Sequence, residues 1–320
     1  MKIEVNRIVI GTRGSKLALW QANWVRGQLQ RLYPHLEVEL KVIKTTGDKI
    51  LDVPLSKVGG KGLFVKEIEE SLLSGQSDIA VHSIKDVPTE FPEGLHLSVI
   101  CQREDPTDAL VLSPSVMASK RADKVGIDAL NEGAVVGTSS LRRSCQLLNA
   151  RPDLKIEQLR GNLDTRLRRL NEGFFDAIVL ASAGLKRLDV EDAAIYSLAV
   201  SVSLPAIGQG AVGVECRVAD EGINALILPL NHEVTSICVR AERAFLKKLS
   251  GGCQVPIAAH ACFTPSGTVR LEGLVGSVDG IRIIRGQAEG TVGTEEVIGT
   301  SLADELLKAG AKEILDELYK

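Results

Sequence analysis

The chain has 320 residues, 44% hydrophobic and 25% charged, enough for about two or three domains with a buried core. A formal net charge of −3 gives no global basic field, and 3% aromatic residues leave little for stacking nucleic-acid bases, which counts against a nucleic-acid partner. Met1 to Ile10 lacks the apolar region of a signal peptide, and no apolar run is long enough to span a bilayer. The expectation is a cytoplasmic protein with no membrane partner.

In chain order, Ile8 to Ile10 reads as a short strand ending at Gly11. Leu17, Trp20, Trp24 and Leu29 then recur near helical spacing. Val38 to Ile43 alternates as a strand does. Leu63, Phe64, Ile68 and Leu72 mark a helix stopped near Gly75, and Asp78 to Val81 is a buried strand. Strands alternating with helices imply an α/β domain with a mainly parallel sheet.

The same order then returns. Val135-Val136 runs into Gly137-Thr138-Ser139-Ser140 and a helix with Leu141, Leu147 and Leu148. A helix from Leu163 to Leu170 stops near Gly173, and Asp176 to Leu180 follows as a strand. The repeat predicts two related α/β domains arranged as in bilobed, periplasmic-binding-protein-like folds, with a ligand cleft. Any two parallel α/β units share some of these features. Glu104-Asp105-Pro106 is the expected first crossing, and Ser203 to Gly210 the return, which sends Ala211 to Arg217 back to the first domain.

The last third differs. Thr235 to Leu249 fits a helix, ended by Gly251-Gly252 and followed by Cys253. Strand patterns follow at Val255 to Phe263, Val269 to Val275 and Ile281 to Ile284, with hairpin turns at Pro265-Ser266-Gly267 and Asp279-Gly280. Ser301 with Asp304 resembles a capping box before a final helix. The predicted architecture is α/β, with domain 1 at 1–103 and 206–230 and domain 2 at 104–205. Residues 231–320 form a small C-terminal α+β domain with an antiparallel sheet.

Two glycine turns, Gly11-Thr12-Arg13-Gly14-Ser15 and Gly137-Thr138-Ser139-Ser140, lie between a strand and a helix. Backbone N–H groups at a helix N-terminus attract anions, and hydroxyls add donors. Arg13 and the Arg142-Arg143 pair add charges that grip carboxylates bidentately. The same Ser and Thr residues also suit simple N-caps. Neither turn has a P-loop or G-x-G-x-x-G spacing. Arg160-Gly161-Asn162 is a third candidate anion-facing turn, whereas Arg168-Arg169 fits a solvated face. Such arginines suit carboxylates or phosphates, and the pattern does not choose between them.

Lys57 to Leu63 is a glycine-rich segment with Lys57 and Lys61, readable as a mobile lid or as an ordinary surface loop. Val81 to Pro88 follows a buried strand, a position that points into the ligand crevice of such sheets. Asp86 is its one carboxylate, able to bind ligand N–H groups or steady a cation, or to cap structure. Six cysteines include no C-x-x-C pair, and no His pair has metal-ligand spacing, so no metal is expected. Cys253, on a turn near Lys247 and Lys248, is a candidate nucleophile or attachment point, although a free cysteine is more often a small buried hydrophobe.

Together these segments resemble the hydroxymethylbilane synthase (porphobilinogen deaminase) family. The resemblance runs through Thr12 to Gln21, Lys57 to Phe64, Ala80 to Pro88, Val136 to Arg143, Leu159 to Arg166, Ala183 to Arg187, Leu204 to Cys216 and Gly251 to Pro256. Gly11 and Lys16 depart from the family's usual Ala and Pro without removing a charge. The resemblance implies a monomeric transferase that joins four porphobilinogens head to tail, releasing ammonia, and then hydrolyses the product free. It implies a dipyrromethane cofactor in thioether linkage to Cys253, with Asp86 catalytic. Lys85, Asp86, Thr138, Ser139, Ser140, Arg142 and Arg143 are then expected at the cofactor. Arg13, Ser15, Arg160, Arg166, Arg187, Gln209, Lys57 and Lys61 are expected at the substrate. A non-catalytic bilobed anion-binding protein would share the repeat and the arginines, but leaves Cys253 and the third domain idle. Against a nucleotide- or nucleic-acid-binding protein stand the missing phosphate-loop pattern, the few aromatics and the acidic net charge.

Overall fold

The computed structural model describes residues 5–49, 65–119, 124–190, 194–251 and 255–318. The chain divides into two compact units, Met1–Glu104 with Ala211–Ile237, and Asp105–Gly210 with Cys238–Lys320.

In the first unit, β1 (Arg7–Thr12) leads through a turn into α1 (Lys16–Leu32). Ser15 caps α1, its hydroxyl accepting from the Ala18 N–H at 3.3 Å. The apolar spacing turns Ala22, Val25 and Leu29 onto the sheet, where they pack with Ile8, Ile10 and Val81. β2 (Glu37–Val42), α2 (Lys66–Leu73), β3 (Ile79–Ser83) and β4 (Leu95–Ile100) follow, and β10 (Val212–Arg217) completes the sheet. The strand order is β2-β1-β3-β10-β4. β1 runs parallel to β2 and β3, while β10 is antiparallel to both β3 and β4.

The second unit repeats this plan. It contains β5 (Asp108–Leu112), β6 (Val135–Gly137), α3 (Leu141–Ala150), β7 (Lys155–Glu157), α4 (Leu163–Asn171), β8 (Ala177–Ala181), α5 (Ser182–Arg187) and β9 (Ala194–Ser197). The order is β7-β6-β8-β5-β9, with β6 parallel to β7 and β8, and β5 antiparallel to β8 and β9. Each sheet thus holds three parallel strands, one reversed strand and a fifth that runs with the first three. The strands β5 and β8 are apolar apart from Asp108 at the head of β5, and nearly every residue in them is buried, as strands covered by helices must be.

The C-terminal part of this unit pairs β11 (Ile257–Phe263), β12 (Val269–Gly276) and β13 (Ile283–Gly290) as an antiparallel sheet beside helices. α6 (Glu221–Ile227) belongs to the first unit, and α7 (Glu233–Lys248) precedes the C-terminal sheet. The α/β class with a small antiparallel C-terminal domain is the observed architecture. Glu242 of α7 is fully buried, and its carboxylate accepts from Gly208 N–H at 2.7 Å and Ala261 N–H at 2.8 Å. One side chain therefore ties the 203–210 segment to β11.

Two sequence expectations need correction here. β13 extends to Gly290, beyond the Ile284 read from apolar alternation, because its later residues form an edge strand paired residue by residue with β12. Ser301 and Asp304 do not cap a helix. They lie inside α8 (Glu295–Leu306), which starts after Thr294, where Glu295 and Glu296 occupy the first turn. The Glu295 carboxylate accepts from Gly293 N–H at 2.7 Å and pairs with Arg240, and Asp304 pairs with Lys248 at 3.1 Å. The helix then kinks at Gly310, whose φ of 112° suits glycine, before α9 (Lys312–Leu318).

Candidate functional site

Residues just beyond the C-terminal ends of parallel strands share one edge of a sheet. In the first unit that edge carries Arg13 to Ser15 after β1 and the short turn Ile84–Asp86 after β3. Ile84 is buried, and its N–H donates to Ala211 O at 3.1 Å, which fixes the turn. Asp86 is thereby held exposed and Lys85 half-buried. Gln21 of α1 donates to the Ser83 hydroxyl at 2.8 Å, joining helix and strand at the same edge. A cavity of about 70 Å³ is lined by Arg13, Ser15, Gln21, His82, Ser83 and Asp86, among others. The structure therefore brings together Arg13, Ser15 and Asp86. Gln21 was missed because it lies on the buried face of a helix, where spacing signals only packing.

In the second unit the corresponding edge carries three turns. Thr138 N–H donates to Glu157 O at 2.9 Å, the Ser139 hydroxyl to Leu159 O at 2.8 Å, and Ser140 N–H to the Thr138 hydroxyl at 3.2 Å. The turn after β6 is thus tied to the turn after β7, where Arg160 is half-buried. Asn162 caps α4 by accepting from Thr165 N–H, and Arg166 donates to Gly161 O at 2.9 Å. Arg187, at the end of α5 after β8, is buried and donates to Gly210 O at 2.7 Å.

Arg142 and Arg143 do grip a carboxylate, but it is the chain's own. Asp108, fully buried at the start of β5, pairs with Arg142 at 2.6 Å and Arg143 at 2.7 Å. It also accepts from the Ser203 hydroxyl at 2.7 Å and from Gln209 Nε2 at 3.0 Å. Arg142 donates further to Leu204 O, and Arg143 to Val179 O. Burial alone would raise the Asp108 carboxyl, but the charges and hydrogen bonds of the two arginines hold it far below the usual carboxylate range. The knot contains two guanidinium groups and one carboxylate, so it keeps a net positive charge. Asp108 went unnoticed in the sequence, although a carboxylate heading an otherwise apolar strand is itself a signal of a buried partner.

Lys57, Lys61 and Cys253 lie outside the described residues. Burial pushes the Cys145 thiol up to about 12 and the Cys216 thiol up to about 11, so neither is a ready nucleophile at neutral pH. Among the described residues no cluster suits a metal ion, and no helix is long and apolar enough to cross a membrane.

Two α/β sheets of one plan each present polar and cationic side chains at the C-terminal edge, a chemistry that suits anions. Comparison with known families makes this specific. Residues 8–225 match the model for "Porphobilinogen deaminase, dipyromethane cofactor binding domain", and residues 236–308 match "Porphobilinogen deaminase, C-terminal domain". The porphobilinogen deaminase of Geobacter metallireducens is 56% identical, covering 97% of this chain and 94% of the relative. That of Pelobacter propionicus is 55% identical, covering 97% of each. That of Trichlorobacter lovleyi is 54% identical, covering 98% of this chain and 97% of the relative. The chain belongs to the porphobilinogen deaminase family. Among solved structures, the sulfate-bound OxyR2 regulatory domain of Vibrio vulnificus aligns at 12% identity and a TM-score of 0.43, over 72% of this chain and 98% of its own.

Proposed function

We propose that this protein is a hydroxymethylbilane synthase, a transferase that condenses four porphobilinogens head to tail and then releases hydroxymethylbilane by hydrolysis. The observation that carries the reading is Asp86, an exposed carboxylate sharing one cavity with Arg13 and Ser15, in a chain alike along its length to porphobilinogen deaminases. Each joining step forms a carbon–carbon bond, breaks the aminomethyl carbon–nitrogen bond and releases ammonia. A proton leaves the pyrrole carbon that was attacked. In this reading Asp86 takes that proton and steadies positive charge on the pyrrole.

Porphobilinogen bears two carboxylates, so every step adds negative charge. Arg160, Arg166 and Arg187 at the second edge, with Arg13 at the first, offset it. Gln209, bonded to Asp108, fixes the return segment, whose Gly210 carbonyl accepts from Arg187. Lys57 and Lys61 are assigned to substrate by the family pattern alone.

The residues present suit the family's dipyrromethane cofactor, which is itself a polycarboxylate. The Asp108–Arg142–Arg143 knot has surplus positive charge beside the hydroxyl-bearing turn that opens α3. Lys85, Asp86, Thr138, Ser139, Ser140, Arg142 and Arg143 would hold it, attached to the sulfur of Cys253. When bound, the group supplies the pyrrole end to which the first substrate is joined. The protein is assigned to the cytoplasm as a monomer, with porphobilinogen as its small-molecule partner and neither nucleic acid nor membrane.

Intact mass tests this reading. The active protein should exceed its chain mass by two condensed pyrrole units, and Cys253→Ala should lack both adduct and activity. Full activity at the unmodified mass would defeat the tether.

A further inference from the structure

Glu215 of β10 lies opposite Ala80 of β3, and Gly213 lies opposite His82. Side chains two apart on a strand share a face, so Ala80, His82 and Glu215 project to one side of the sheet. On that side α2 buries Ile68, Glu69 and Leu72, with Ile68 and Leu72 packed on Ala80. Three ionisable groups therefore occupy an apolar layer, with Glu215 0%, His82 6% and Glu69 9% exposed.

His82 Nε2 sits 3.0 Å from Glu215 Oε2. The contact is not aligned as a hydrogen bond, and neither Glu215 oxygen has a hydrogen-bond partner among the described residues. Burial first, and then the Glu215 charge, push the Glu69 carboxyl up to about 7, while His82 acts the other way. Nearby charges are engaged elsewhere. Arg217, on the same face of β10, donates to Leu72 O and Ser77 O and pairs with Asp78 and Asp220. On α2, Lys66 and Glu70 are exposed, and Glu67 accepts from Thr46. Arg7 of β1 pairs with Glu39. His96 of β4 bonds Asn224, with Cys216 beside it.

A buried charge is costly unless it is paired. Glu69 and Glu215 are two carboxyl groups in one apolar layer, and the layer carries less charge while Glu69 keeps its proton. His82 is also a wall of the cavity that contains Asp86 and Arg13. We propose that Glu215 is a positioning residue for the condensation assigned above: it orients the His82 imidazole in the cavity wall that also holds Asp86, and Glu69 carries the proton that preserves this orientation. As pH rises past neutral, Glu69 loses that proton and its carboxylate competes with Glu215 for His82. The imidazole is drawn from its place, and turnover declines on the alkaline side. This inference rests on the proposed condensation.

The test is kcat and KM across neutral and alkaline pH for the holoenzyme and for its Glu215→Gln and Glu69→Gln variants. Glu215→Gln is expected to lower kcat by about tenfold or more with KM within about twofold, the split expected when the reacting arrangement rather than binding is lost. Glu69→Gln, which cannot ionise, is expected to flatten the alkaline decline. A Glu69→Gln profile that overlays the wild type, or a Glu215→Gln effect confined to KM, would overturn the proposal. If Glu215→Gln fails to fold, the Glu69→Gln profile decides. Infrared difference spectra supply a readout that needs no turnover: a buried protonated carboxyl band, lost in Glu69→Gln, should disappear as pH rises through about 7. Absence of that band from the wild type overturns the proton assignment. A wild type that never consumes porphobilinogen instead strikes the proposed function and leaves the infrared result standing.

Discussion

The two five-stranded sheets share one plan, yet their C-terminal edges place charge differently. At the ends of β1 and β3, the charged groups are reachable: Asp86 is exposed and Arg13 half-buried around a small cavity. At the ends of β6 and β8, Asp108, Arg142, Arg143 and Arg187 are all buried. Strand order gives both edges the same geometric opportunity, so the turn sequences decide what each one does. An exposed carboxylate can trade a proton with a ligand. A buried carboxylate gripped by two guanidinium groups stays ionised and becomes scaffold. Under the proposed function, chemistry falls to the first edge and charge compensation to the second.

The sharpest way to break that division is Asp86→Asn. Turnover of porphobilinogen should fall by about a thousandfold, within the usual range for a lost acid–base group, with the thermal midpoint unchanged. Near-normal turnover would move the chemistry away from the first edge. Asp108→Asn should instead act on stability. It leaves two buried guanidinium groups without their carboxylate and should cost about 3–5 kcal/mol in denaturant unfolding. A cost under about 1 kcal/mol would mean that the knot is not scaffold.

The same residue predicts an acid limb. Because its folded value lies below its unfolded value, the stabilisation is fully present above about pH 4 and drains away as pH falls further. Asp108→Asn should lose that part of the acid sensitivity, as unfolding curves at several pH values will show. Arg160→Leu or Arg166→Leu should slow elongation by about tenfold, the loss expected for one charge-assisted contact, and leave partly extended chains visible by mass spectrometry. Unchanged kinetics would return these arginines to the surface. Arg168→Ala removes an exposed pair with Glu172 and should change stability by less than about 0.5 kcal/mol, marking the background for the other variants.

Local features were the legible ones. Periodicity showed β1, α1, β3 and the Gly137 turn because each is encoded in a few adjacent residues. The Asp108 knot was not legible, since its partners lie 34, 35, 95 and 101 positions away and only the fold brings them together. The same holds for Glu215, which meets His82 by strand pairing. Ser301 and Asp304 misled because a capping pattern inside a helix looks the same in sequence as one at its start. β13 was undercounted because an edge strand with polar residues lacks a clean apolar alternation. The family resemblance assigned roles to site residues that spacing alone left open between carboxylate and phosphate ligands.

The carboxylate of Glu242 has a mechanical consequence. It holds the amide of Gly208 and the amide of Ala261 at once, so neither backbone can shift without dragging the other or breaking a short bond inside an apolar interior. Any tug on the 203–210 loop is therefore felt in the first strand of the C-terminal sheet, through a linkage one residue wide.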